Sequence, residues 1–417
     1  MTRKHTVRRV ADIVFGILRG PDVASWKKHL AAIDVRDWQH SYHWLDSSGL
    51  ALYFLNVLKL SHLDDNVPSD ILGRLQQNAL DNKARVTHQF QEFRRVNACL
   101  AASSLPYVNV KGFTLSPEYC PDLSLRYQCD LDIMIRRADA QQCRSALEQI
   151  GYRLTVEDPD TLEFKAGEDR FPKISELYKP RSQRALEVHF ASPLAKVDVS
   201  EDCIERAALN RWNGFSFPDL SPVDKFLAQV FHVYRHLLSE WVRLSWFYEL
   251  DTFLRYHAGD TALWREISDR AAADSNTARA LGLVAAFSQE AFSIEVPPEL
   301  DEIAADNLRP SARLWIKEYG RSVLLSDFPG SKLYLLLLRE LSTDQQNWNQ
   351  LSRKRLFPLH APPQVLWPET SRFSLRQFAA RTRYALRRGR FHLREGARYL
   401  AEQRRWNLRV RQAGLAS

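Results

Sequence analysis

Two aspartates one residue apart, Asp130 and Asp132, are the residues whose types and spacing first point to chemistry. In Tyr127-Gln128-Cys129-Asp130-Leu131-Asp132-Ile133-Met134-Ile135 the alternate positions are apolar. In a strand, both carboxylates therefore share one face while Leu131 and Ile133 point to the core. Like charges this close repel, and one of the pair would take up a proton unless something neutralised it. A divalent cation does so. Magnesium suits the pattern, because it prefers carboxylate oxygens and keeps positions open for water and phosphate. By itself, the tripeptide also describes a strand end with two solvated acids. A third acid sharpens it: Ala185-Leu186-Glu187-Val188-His189-Phe190 alternates so that Glu187 and His189 lie opposite Leu186, Val188 and Phe190. A neighbouring strand would aim Glu187 at the same metal. The plain alternative is an amphipathic edge strand on which His189 is a surface or hydrogen-bonded residue.

Upstream, Val108-Asn109-Val110-Lys111-Gly112-Phe113 reads as a strand running into a glycine. A loop containing Pro117 and Pro121 follows and ends at Arg126. Glycine lets the backbone approach a triphosphate closely, and Lys111 with Arg126 would neutralise phosphate oxygens. A strand-to-helix turn with a glycine cap accounts for Lys111-Gly112 equally well.

The elements that must position these residues follow from the changing period. Residues 1–102 read as an N-terminal helical region, with apolar marks at Ile13, Phe15, Ile17, Leu18, Leu45, Leu50, Leu52, Phe54, Leu55, Ile71, Leu72, Leu75 and Leu80 and a last helix over Asp81–Ala102. Over 103–220 the period shortens to that of strands: Tyr107–Val110, Leu131–Ile135, Tyr152–Val156, Leu162–Lys165, Lys173–Tyr178 and Ala185–Phe190, with one helix over Ala138–Ile150. An α+β domain results. Leu177–Ser182 resembles a hairpin connection that would set the Glu187 strand beside its predecessor. Ser221-Pro222 starts a second helical region over 221–355. Pro358, Pro362, Pro363 and Pro368 mark a linker over 356–371, and 372–417 form an arginine-rich tail.

With 417 residues, the chain is expected to form two or three packed domains. Its five cysteines include no CxxC pair and no zinc spacing, which fits a reduced, cytoplasmic protein. The basic start is interrupted by Asp12 and is not expected to be a signal peptide, and the apolar runs are too short for a transmembrane helix. Of the net charge of +8, the tail supplies more than all: from Arg372 to Arg411 it has thirteen arginines against Glu395 and Glu402. Interleaved with Phe378, Tyr384, Phe391, Tyr399 and Trp406, these arginines suit nucleic-acid phosphates or an anionic membrane surface, the latter giving a peripheral place at the inner membrane. Packing of the tail's apolar side on the body is the alternative.

The order Lys111-Gly112, Arg126-x-x-x-Asp130-x-Asp132, Glu187-x-His189 resembles the nucleotidyltransferase superfamily of polymerase β fold. It is most similar to the uncharacterised bacterial branch labelled nucleotidyltransferase family 5, over about Gln89 to Asp251. The likeness extends into Phe231–His236 and Trp241–Asp251; His232 and His236 share a helix face but lack the HExxH pattern, so packing or a contact with base or acceptor is expected there rather than zinc. The resemblance implies a polymerase β-like domain with a mixed sheet, flanked by helical regions. It also implies two magnesium ions held by Asp130, Asp132 and Glu187, about 3.5 to 4 Å apart. The nucleoside triphosphate would meet Lys111, Gly112, Arg126 and His189. An acceptor hydroxyl, on a small molecule, saccharide or protein, would attack the α-phosphate and release pyrophosphate. One departure is Gly112-Phe113, where the superfamily has Gly-Gly or Gly-Ser and a shorter run to the acids. A non-catalytic scaffold and a nucleic-acid binder using the tail are the rival readings.

Overall fold

The computed structural model describes residues 3–20, 23–167, 176–181, 184–190, 199–326, 328–342, 345–356, 358 and 375–415. They fall into two compact units, one of residues 1–231 and 243–270, the other of residues 232–242 and 271–417.

The first unit opens with helices α1 (Arg3–Arg19), α2 (Val23–Ala31), α3 (Val35–Ser47), α4 (Ala51–Leu60) and α5 (Ser69–Ala102). The expected helix at Asp81–Ala102 is the second part of α5, which starts earlier because Ile71 and Leu75 carry its buried stripe on from Val86, Phe93, Val96 and Leu100. Buried polar residues of α5 reach outward: Asn82 donates to the carbonyls of Ser124 (2.7 Å) and Arg126 (3.1 Å), and Arg85 donates to that of Gln128 (2.7 Å). The helix thereby fixes the loop that delivers Asp130 and Asp132.

Among the described residues, seven strands form one mixed sheet, as expected of an α+β chain. They are β1 (Tyr107–Val110), β2 (Leu131–Ile135), β3 (Arg153–Asp158), β4 (Thr161–Ala166), β5 (Arg184–Phe190), β6 (Ala208–Trp212) and β7 (Phe215–Asp219), in the order β3-β4-β5-β2-β1-β7-β6. Helix α6 (Ala140–Gln149) stands where the sequence places it. Of the expected strand Lys173–Tyr178, residues 173–175 lie outside the described residues, and Glu176–Tyr178 belong to a turn. The antiparallel neighbour of β5 is instead β4, with Glu163 opposite Glu187. The β6–β7 hairpin was not anticipated. Its turn is Asn213-Gly214, both with positive φ (45° and 77°), the backbone that a two-residue hairpin needs. That dipeptide was the available signal.

Helices α7 (Pro222–Leu237), α8 (Ser245–Tyr256) and α9 (Thr261–Ala273) follow the sheet, α7 beginning at the proline expected to start it. The second unit contains α10 (Ser275–Phe292), α11 (Pro298–Asn307), α12 (Pro310–Trp315), α13 (Arg321–Leu324), α14 (Tyr334–Leu341), α15 (Gln345–Leu356) and α16 (Leu375–Gln412). A π turn, Ile316–Gly320, joins α12 to α13. Most of the expected linker lies outside the described residues, whereas the arginine-rich tail is the helix α16. Among the described residues, no helix is long and apolar enough to cross a membrane.

Candidate active site

Strands β2 and β5 run parallel in a register that puts Asp132 opposite Glu187 and Met134 opposite His189. Because side chains alternate along a strand, Asp132, Glu187 and His189 emerge on one face, while Leu131, Ile133, Leu186, Val188 and Phe190 are buried on the other. One ligand atom from each of Asp132, Glu187 and His189 lies within 4.8 Å of the other two. His189 Nε2 is 2.8 Å from Asp132 Oδ1 and 3.6 Å from Glu187 Oε2. Asp130, half-buried, immediately precedes β2.

Lys111 joins this cluster. Its ammonium donates to Asp132 Oδ1 at 2.7 Å and stands 3.5 Å from His189 Nε2. It gets there from a strained backbone: Lys111 has φ 60° and ψ −161°. That conformation costs a non-glycine residue of order 1–3 kcal/mol and persists only where its surroundings impose it. Here the Lys111 carbonyl accepts from both the backbone N–H (3.0 Å) and the hydroxyl (2.8 Å) of Thr114.

Gly112 and Phe113 complete the turn. Gly112 also has positive φ (53°), and a Cβ on it would come within 2.7 Å of Gln128 Nε2. That amide donates to the Asp130 carbonyl at 2.9 Å, so the bare glycine makes room for the brace that holds the first aspartate. Phe113 is core: its ring lies 4.8 Å from Phe93, 5.3 Å from Trp212 and 5.5 Å from Phe90. The departure at this position thus anchors the turn in the interior.

Arg126 has a different partner. Its Nε is 3.1 Å from Glu249 Oε1, which also accepts from the Tyr53 hydroxyl at 3.1 Å, and both charged residues are buried. Glu249 belongs to α8, within the Trp241–Asp251 stretch for which packing or a ligand contact was expected. Arg243 of the same stretch donates to the Tyr127 carbonyl at 3.4 Å. Sequence reasoning did not find Glu249, since one glutamate in an apolar helix carries no spacing signal. His232 and His236 stack edge to face at 4.7 Å and belong to no three-residue metal cluster among the described residues.

The charges in the cluster are unequal. Burial alone would raise the Asp132 carboxyl, but Lys111 and His189 outweigh it and hold the group well below the carboxylate range. Burial opposes the charge on Lys111 as well, yet the carboxylates around it keep its pKa raised. Asp130 and Glu187 are pushed up to about 7, first by burial and then by the charge of Asp132. Without a cation, Lys111 matches the charge on Asp132, while Asp130 and Glu187 take up protons around neutral pH. Asp132, Glu187 and His189 offer two carboxylates and one imidazole whose ligand atoms are close enough together to hold a divalent cation, and Asp130 stands outside that group.

Asp130 also borders a cleft of about 380 Å³. Arg85, Arg95, Arg181 and Arg184 line it, with Glu92 between them pairing with Arg184 at 2.7 Å. Arg181 Nη2 is buried with no hydrogen-bond partner among the described residues.

A family model described as an uncharacterised nucleotidyltransferase matches residues 34–293, more than half of the chain. The chain belongs to this family. The match covers every site residue named above, from Lys111 to Glu249, and the nucleotidyltransferase assignment agrees with an acid cluster placed on adjacent strands. No curated protein matches the chain.

Proposed function

We propose that this nucleotidyltransferase-family chain is a magnesium-dependent enzyme with a polymerase β-like catalytic domain, which moves a nucleoside monophosphate from a triphosphate to an acceptor hydroxyl. The observation that carries the reading is the parallel register of β2 and β5, which sets Asp132 beside Glu187 on one face with Asp130 at the strand entrance. Asp130, Asp132 and Glu187 would hold the magnesium; when bound, it supplies charge neutralisation at the phosphates and at the attacking oxygen.

The chain's own residues do the rest. His189 fixes the Asp132 carboxylate through their hydrogen bond, and Lys111 brings a positive charge to the same oxygen. The arginine-lined cleft beside Asp130 has room and charge for a polyphosphate, and the Nη2 of Arg181, which has no partner among the described residues, is a donor for one of its oxygens. Arg126 is a positioning residue, tying the loop before Asp130 to α8 through Glu249. In the reaction, the acceptor hydroxyl gives its proton to solvent, its oxygen bonds to the α-phosphorus as the bridging bond to the β-phosphate breaks, and pyrophosphate leaves. Catalysis then rests on alignment and neutralisation. All five cysteines are free, in keeping with a reducing, cytoplasmic setting.

One observation favours the non-catalytic reading: the Lys111 ammonium already sits against the carboxylate that a cation would need. The deciding experiment incubates the protein with magnesium, each of the four α-labelled nucleoside triphosphates, and a metabolite and protein extract. Label should transfer to an acceptor with one triphosphate, and Asp132→Ala and Glu187→Ala should each reduce transfer at least about 100-fold while leaving the fold intact. Absence of magnesium-dependent triphosphate binding would establish the scaffold instead.

A further inference from the structure

Helix α16 has two apolar faces, and only one is covered by the described residues. Phe391, Tyr399 and Trp406 are buried together with Glu395. Trp406 donates to Glu340 at 2.8 Å and meets the Tyr319 ring edge-on at 5.8 Å. At about 100° per residue, Glu395 lies nine residues, and so roughly 180°, round the helix from Leu386. On that opposite side stand Leu386, Leu393, Leu400 and Leu408, exposed by 58%, 68%, 50% and 58%. Steps of seven, seven and eight keep the four leucines within an arc of about 80°, because seven residues drift about −20° and eight about +80°. At 1.5 Å per residue, the stripe is about 33 Å long.

Arginines border it. Arg387, Arg390, Arg404 and Arg411 are exposed and enter no ion pair among the described residues. By contrast, Arg388, Arg398, Arg405 and Arg409 are paired with Glu240, Glu395, Glu402 and Glu318. At about 100° per residue, Arg390, Arg404 and Arg411 lie within about 40° of Leu386, whereas the paired Arg388, Arg398 and Arg409 lie about 120° or more from it; Arg394, about 80° away, pairs with Glu395.

We propose that the leucine face of α16 docks on an anionic lipid bilayer, lying in its interface. Such a surface supplies both needs at once, phosphates for the guanidinium groups and hydrocarbon for the leucines. A nucleic acid would answer the arginines but leave the leucines in water. A second copy would bury the leucines but bring two arginine rows against each other. The long arginine stems can lie along the leucines while their charges stay at headgroup level. This concerns the second unit alone and does not depend on the transferase reading.

The test is co-sedimentation of the full chain with vesicles of phosphatidylcholine alone, or of equal parts phosphatidylcholine and phosphatidylglycerol. Binding is expected only to the second. The exposed-site variants Leu386→Ser/Leu393→Ser/Leu400→Ser and Arg387→Gln/Arg390→Gln/Arg404→Gln should each weaken it at least about tenfold, with unchanged melting temperature. If the anionic vesicles leave the protein in solution, or the leucine variant binds them as well as the parent, the proposal fails. Retention on RNA or duplex DNA without retention on these vesicles overturns it in favour of a nucleic-acid contact.

Discussion

Lys111 Nζ lies 2.7 Å from Asp132 Oδ1, so an ammonium carried on β1's strained exit turn serves as the resident cation of the carboxylate cluster. A divalent ion and this lysine compete for the same oxygen. Removing the charge in Lys111→Met leaves Asp132 buried without its main partner, a loss of about 3 kcal/mol, at the low end for a broken buried pair because the lysine is 20% exposed. Urea unfolding without metal should show that loss. Magnesium should restore more stability to the variant than to the parent, and equal rescue would mean that the ion binds elsewhere.

Proton occupancy of the cluster makes stability depend on pH. Asp130 and Glu187 titrate near 7 in the fold against ordinary values of 3.8 and 4.5, so across that window the folded chain holds more protons than the unfolded one. Their contribution to stability therefore falls as pH rises. Asp132 works the other way: its depressed value stabilises the fold above 3.8 and is lost in acid. The melting temperature of metal-free protein should decline from about pH 5 to about pH 8, and Asp130→Asn should flatten the decline. Because a cation needs the ionised carboxylates, magnesium affinity should rise over the same range. A parallel decline in parent and variant would show that Asp130 does not hold that proton.

The buried pair of Arg126 and Glu249 should behave as scaffolding. Glu249→Ala strands a guanidinium in the interior and should cost about 3–5 kcal/mol of unfolding free energy, whereas Glu249→Gln, which keeps an acceptor, should cost less. Transfer by the folded fraction should drop less than about tenfold in either variant, since a positioning residue acts through geometry. Chemical denaturation with activity normalised to folded protein separates the two effects.

Arg181 offers a sharper test of where the polyphosphate binds. Losing one charge-assisted hydrogen bond in Arg181→Ala should raise KM for the triphosphate about tenfold, with kcat nearly unchanged. Unchanged KM would place the phosphates outside the arginine-lined cleft.

Alternation along a strand is a local rule, and for that reason the primary sequence alone determined that Asp132 lies opposite Leu131 and Ile133 and that Glu187 and His189 oppose an apolar row; Asp130, expected on the same strand face, instead precedes β2. The same kind of local pattern marked β1 to β5, α6 and the proline that begins α7. What it did not determine was which strand lies next to which. Pairing of β5 with β2, and the register that sets Glu187 against Asp132, come from burial of both apolar faces in one sheet, a gain that exists only when distant segments meet. Nor does any spacing say that Lys111 turns into the acids rather than toward phosphate, or that Arg126 is claimed by a glutamate 123 positions away. Buried charges take whichever opposite partner the packing brings within reach, since an uncompensated charge in the interior is too costly. Tertiary structure likewise decided the two sides of α16: its sequence holds aromatic and leucine stripes alike, and only the neighbours of the helix settle which of them meets the protein and which meets the solvent.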